Sequence, residues 1–169
     1  TIPRTVVVAT DYFDAFIRNN GLEYVLTTEM TDEEILSEFV SSTLPYKLRE
    51  ALKAYVRTVS GPLAVRSSSK LEDSHYQPFA GIYSTYMIPY TEGNEDRQLR
   101  LLQKAIKSVY ASTYFAASKA YVQSSQNLIA EEKMAVVIQE VCGTEQDGLF
   151  FPTLSGVARS INYYPIGDE

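Results

Sequence analysis

The chain has 169 residues, 45% hydrophobic and 21% charged, which gives it enough apolar surface for a folded core and argues against disorder. Fifteen basic against 21 acidic residues leave a net charge of −6, which argues against a nucleic-acid surface. No apolar run approaches the ~18 residues of a membrane span, no signal segment opens the chain, and the one cysteine, Cys142, cannot form an internal disulfide and fits a reducing cytoplasm.

Thr5 to Ala9 is a β-branched run that reads as a buried strand. Thr10 is placed to cap a helix from Asp11 to about Asn19, with Tyr12, Phe13, Phe16 and Ile17 as its apolar stripe. Gly21 supplies a left-handed stop. Thr31-Asp32-Glu33-Glu34 is a capping box that opens a second helix, with Ile35, Leu36, Phe39 and Val40 turned inward. Pro45 sits at the first turn of a third helix, where its missing N–H does no harm. Leu48, Leu52, Tyr55, Val56 and Val59 form that helix's stripe, and Gly61-Pro62 ends it.

Leu63-Ala64-Val65 begins a second strand. From Arg66 to Gly81 the pattern loses its period and reads as a long connection, a length that is usually functional or disordered. Ser84 to Ile88 reads as a strand closed by Pro89. A helical region runs from about Glu95 to Ser124, broken where small residues gather between Ala111 and Ala117. Met134 to Ile138 is an apolar strand, Gly143 to Phe151 a polar loop, and Gly156 to Ile161 a final strand. The order predicts an α+β fold rather than a regular βαβ series. The start at Thr1 rather than Met, and an end without a closing helix, predict a piece of a longer chain.

Three segments carry chemistry. Val65 to Asp73 places a guanidinium, hydroxyls, an ammonium and two carboxylates directly after a strand. The planar fork of Arg66 matches phosphate oxygens, though the pattern alone favours a solvated turn with a surface ion pair. Gly81 permits close backbone approach to a ligand and Thr85 offers a hydroxyl; alone they read as a tight turn entering a strand. Gln139, Glu140 and Val141 end an apolar strand, where exposed backbone groups and apolar walls suit a purine, or where a strand simply leaves the core. The lone His75 supports neither a metal site nor a catalytic triad, and the common phosphate loops are absent.

Together these segments resemble a known family. Pro62-Leu63-Ala64-Val65-Arg66-Ser67-Ser68-Ser69, then Glu72-Asp73, Phe79-Ala80-Gly81 and Thr85-Tyr86, are similar to the "VRSSA…ED…SFAGQ…TY" signature of the ATP-binding domain of phosphoenolpyruvate synthase and pyruvate phosphate dikinase. Ile2 to Val8, Ala105 to Ser112, Met134 to Val141 and Ser155 to Ala158 resemble further family segments in the same order, so the likeness spans nearly the whole chain. The resemblance implies a partial ATP-grasp-like domain with a mixed or antiparallel sheet and flanking helices, residues 1–169 forming a single fragment with lobes near 1–62 and 63–169. It implies Arg66 on the ATP phosphates, Gly81 and Thr85 in the same pocket, and Gln139 with Glu140 and Val141 at the adenine hinge. Phosphoryl transfer rests on positioning and charge neutralisation, so ATP with Mg²⁺ is the implied toolkit.

The sequence also departs from the pattern. The family's Gly-rich stretch with its phosphate-binding Lys would precede Ile2, and the Mg²⁺ ligands and the phosphorylated histidine would lie outside this fragment, which therefore carries no catalytic residue and no metal ligand of its own. Ile82-Tyr83 and Arg159 differ from the family pattern within the pocket-forming segments. The implied reaction converts ATP, pyruvate and water to phosphoenolpyruvate, AMP and phosphate through a phosphohistidine on another domain, and the implied partners are that domain and a pyruvate-binding domain. A related phosphotransferase acting on rifamycin or glucan and a non-catalytic interaction module are the alternatives.

Overall fold

The computed structural model describes residues 2–69, 83–124 (backbone only from 121), 133–152, 154 and 156. Strand β1 (Thr5–Val8) enters helix α1 (Thr10–Asn20), which Gly21 ends in the left-handed conformation at φ 62°. Only a residue without a Cβ adopts that conformation at little cost. The helix starts one residue earlier than the sequence suggested: Ala9 is the N-cap, and no side chain caps it. A 3₁₀ helix, Leu22–Leu26, follows directly, a turn too short to leave a periodic signal.

The predicted capping box is present at α2 (Asp32–Ser41). Thr31 Oγ1 accepts the Glu34 N–H at 3.2 Å and the Glu34 carboxylate accepts the Thr31 N–H at 2.8 Å. Helix α3 (Tyr46–Val56) has Pro45 as its N-cap and buries Leu48, Leu52 and Val56. Helix α4 (Glu95–Ser112) starts at Asn94, whose side chain accepts the Arg97 N–H. The predicted break falls between α4 and α5 (Ala116–Ser124). Asp32 of α2 accepts the Ala116 N–H at 2.8 Å, so one helix's first residue caps the next-but-two helix.

Four strands form one sheet in the order β1, β4 (Met134–Glu140), β2 (Leu63–Ser69), β3 (Tyr86–Ile88), every pairing antiparallel. Strand β2 runs to Ser69, four residues beyond the expected Val65, so Arg66 to Ser69 belong to the sheet rather than to a loop. The reason is tertiary: β2 is a central strand paired with β4 along all seven residues, which holds Arg66 to Ser69 extended, with Arg66 and Ser68 on the face opposite the helices and the small Ser67 and Ser69 on the helix side. The expected loop Gly143 to Phe151 is likewise a hairpin, β5 (Thr144–Gln146) and β6 (Leu149–Phe151). Asp147 and Gly148 turn it at φ 51° and 75°, the pair of positive angles that a two-residue type I′ turn requires. Strand Ser84 to Ile88 shortens to β3, and all but Gly156 of the expected last strand lies outside the described residues.

The core lies between the sheet and the helices. Leu63, Val65, Met134, Val136 and Ile138 alternate along β2 and β4 and are fully buried on the helix side. Helix α4 packs against β2, β3 and β4, α1 packs on β4, and α2 and α3 pack on α4. An aromatic cluster ties these helices together: Tyr110 meets Phe13 at 5.0 Å edge-on and Phe16 at 5.5 Å, while Phe39 meets Phe16 at 5.7 Å and Tyr114 at 5.5 Å. The architecture is α+β, as the element order predicted.

Candidate functional site

Alternation fixes what the other face of the sheet displays. Directly paired residues share a face, and side chains two apart along a strand do too. Ala64 is paired with Gln139, and Gln139 with Thr5; Arg66 is paired with Val137, and Val137 with Val7. Thr5, Val7, Ala64, Arg66, Ser68, Val137 and Gln139 therefore share the face opposite the helices. Met87 of β3, paired with Ala64, joins them. Val7 and Met87 are about three-fifths exposed, and Arg66 is exposed as well, so no described residue covers this face.

Arg66 and Gln139 thus stand one diagonal step apart on adjacent strands, a separation of roughly 7–8 Å. Gln139 Nε2 donates to Thr5 Oγ1 at 3.2 Å, which holds its side chain along the sheet. Thr85 is exposed and immediately precedes β3. Tyr86 is paired with Val65, the residue before Arg66, so Thr85 enters β3 at the end nearest Arg66. Gly81 lies outside the described residues.

Glu140 is placed differently. It is paired with Leu63 and turns to the helix side of the sheet, where Arg4 grips it with a fork: Nη2 to Oε1 at 2.7 Å and Nε to Oε2 at 3.1 Å. Burial, with this carboxylate close by, pushes the Tyr55 hydroxyl above its ordinary range. The backbone here is committed too: the Glu140 N–H donates to the Arg4 carbonyl at 3.0 Å and the Val141 N–H to the Pro62 carbonyl at 2.9 Å. The expectation of free backbone donors at this strand end is narrowed accordingly, because neither N–H reaches a base without giving up a sheet bond.

Beyond that end lies a pocket of about 490 Å³, within the roughly 300–1,000 Å³ of small-molecule sites. Val141, Met87, Tyr90, Leu149 and Phe150 give it apolar walls, and Ser60, Gly61 and Glu145 add polar ones. The β5–β6 hairpin supplies the Leu149 and Phe150 wall. Gly143 lets the hairpin lie close, because a Cβ there would come within 2.7 Å of Phe150 Cε1 and closer still to the Phe151 carbonyl. Sequence reasoning missed this wall; its available signal was the Asp147-Gly148 dipeptide before Leu149-Phe150-Phe151. A second recess of about 360 Å³ at the start of α4, lined by Arg57, Tyr90, Asn94 and Gln98 among others, contains none of the expected site residues.

Among the described residues no group of three or more His, Cys, Asp or Glu stands together as a metal site, and no helix is long and apolar enough to cross a membrane. The face can therefore offer a cation, two hydroxyls and an amide to an anion, next to an apolar pocket.

Residues 1–168 match the family model described as pyruvate phosphate dikinase, AMP/ATP-binding domain. The chain is 31% identical over 157 residues to the "uncharacterized phosphotransferase YvkC" of Bacillus subtilis (strain 168), covering 89% of this chain and 17% of that protein. It is 33% identical over 131 residues to the phosphoenolpyruvate synthase of Aeropyrum pernix, covering 73% of this chain and 15% of that protein. The chain thus spans about a sixth of the length of these curated relatives.

Proposed function

Because this chain belongs to the pyruvate phosphate dikinase AMP/ATP-binding domain family, we propose that it forms one wall of the ATP site of a phosphoenolpyruvate synthase-like phosphotransferase. The shared face of Arg66 and Gln139, ending at an apolar pocket, carries this reading. The base enters the pocket beside Val141, between Met87 and Phe150. The ribose and phosphates run along β2 past Gln139. From Pro62, at the pocket, to Arg66 is four residues of strand, about 13 Å, which sets the guanidinium at the outer phosphates rather than at the base.

Arg66 supplies a permanent charge in a planar fork, Thr85 adds a hydroxyl donor to the phosphates, and Gly81 keeps the phosphate-pocket role that the family resemblance implies. Gln139 holds the edge of the ribose or base with its amide. Glu140 anchors the strand end through Arg4 rather than touching nucleotide, and Val141 offers an apolar wall. A Mg²⁺ bound with the triphosphate would supply charge neutralisation for phosphoryl transfer. Its ligands belong to other parts of the site, as does the second lobe of an ATP-grasp-like cleft. The phosphoryl group passes to a histidine on another domain and then to pyruvate.

The test is an assay of the full-length protein with Mg-ATP, following AMP and inorganic phosphate. Pyruvate-dependent AMP formation supports the synthase reaction. AMP formed only with a different acceptor, rifamycin or a glucan, keeps the ATP site and changes the substrate. No heat of binding at millimolar Mg-ATP makes the domain an interaction module and overturns the reading.

A further inference from the structure

Charge is unevenly distributed over the fold. Lys47, Arg49, Lys53 and Arg57 lie on or directly after α3, and Arg97, Arg100, Lys104 and Lys107 lie on α4, together eight of the fifteen basic residues. The same two segments carry three acidic residues, Glu50, Glu95 and Asp96, so they hold a net +5 while the rest of the chain holds −11. Lys107 is spent inside the fold: its Nζ donates to the Val40 and Ser42 carbonyls at the end of α2. The other seven cations are exposed.

Their spacing orders them. Tyr46, Arg49, Lys53 and Arg57 follow one another at helical intervals of three and four along α3, and Arg97, Arg100 and Lys104 do the same on α4. The two helices pack together, and Arg57 Nε reaches the Glu95 carboxylate at 3.5 Å between them. The Arg49 guanidinium lies 5.9 Å from the centre of the Tyr46 ring, and that ring is 68% exposed. These helices stand on the covered side of the sheet, away from the face that carries Arg66.

We infer that the exposed stripes of α3 and α4 form a docking surface for an acidic face elsewhere in the same longer polypeptide, with Tyr46 and Arg49 as its anchor. Arg and Tyr are the residues enriched at protein–protein hot spots, and complementary charge fixes register between surfaces. A nucleic acid suits the patch poorly. Arg49 already lies over a face of the exposed Tyr46 ring, the surface on which a base would stack. The matched relatives are about five times as long as this chain, which supplies the room for such a face in one polypeptide.

The experiment is zero-length carbodiimide cross-linking of the full-length protein, read by mass spectrometry. Lys53 and Lys104 should join carboxylates of one segment outside residues 1–169. The yield should fall by about tenfold or more in the Arg49→Glu, Arg100→Glu double variant. The Lys133–Asp14 pair, 2.5 Å apart in this chain, should cross-link in both proteins and so reports an intact fold. Nucleotide binding should be the same in both, which separates this inference from the ATP reading. Absence of links from Lys53 and Lys104 while Lys133–Asp14 forms overturns the inference. So do links found only between molecules, and binding of a labelled single-stranded RNA that the double variant loses.

Discussion

Arg66 and Gln139 leave neighbouring antiparallel strands on the same side of the sheet, one diagonal step apart, because Arg66 is paired with Val137 and Gln139 with Ala64. A one-residue slip in that register would send one of them into the core, where Val65 and Ile138 now lie fully buried. The core therefore enforces the juxtaposition that the proposed site needs.

Replacing Arg66 with Ala in the full-length protein should weaken Mg-ATP binding by about 1.5–3 kcal/mol, the range for a hydrogen bond to a charged group. The side chain is exposed, so the thermal midpoint should stay unchanged. Calorimetric titration alongside a melting curve checks both. Unaltered ATP affinity would remove Arg66 from the phosphates.

Gly143→Ala should displace the β5–β6 hairpin, since the new methyl meets the Phe151 carbonyl and the Phe150 ring. An overpacked contact costs about 1–3 kcal/mol, and Phe150 would swing away from the pocket wall. Nucleotide affinity should fall with little change in the phosphate contacts. ATP and inorganic triphosphate, titrated in parallel, separate the two: only ATP should lose affinity.

Burial raises the hydroxyls of Tyr110 and Tyr114 above their ordinary range. Above about pH 10 the unfolded chain releases these protons while the folded one keeps them, so stability is full below that pH and declines as pH rises. Each tyrosine contributes a slope of about 1.4 kcal/mol per pH unit. Urea midpoints measured from pH 8.5 to 11.5 should show the decline, and Tyr110→Phe should reduce its slope. The Tyr110 hydroxyl is buried without a hydrogen-bond partner among the described residues, so at pH 7 this variant should be at least as stable as the parent.

Ile138→Ala removes a fully buried side chain whose neighbours across the sheet are Val6 and Val65. A loss of about 2–5 kcal/mol is expected, with part of it a cavity term. Chemical denaturation gives the figure. A cost below about 1 kcal/mol would mean that Ile138 does not fill the centre of this core.

The helices were legible because their signals are local. The apolar stripes of α1 to α4, the Thr31–Glu34 capping box and the Gly21 stop each lie within a few residues of the structure they cause. Strand β2 was legible only as far as Val65, because Arg66 to Ser69, one charge followed by three hydroxyls, carry no local apolar period. Their strand conformation comes from pairing with Met134 to Val137, nearly seventy residues away. The Leu149–Phe151 strand was hidden for a similar reason: Leu149 and Phe150 wall a pocket instead of a core.

By itself the sequence determined the α+β composition, the approximate spans of the α-helices and the residue types able to grip a phosphate, since propensity, capping and side-chain chemistry act over short distances. Only the tertiary structure decided which of those residues meet. Sheet register put Arg66 with Gln139 and turned Glu140 away to Arg4, because pleating sends successive side chains to opposite faces and long-range pairing selects which face is covered.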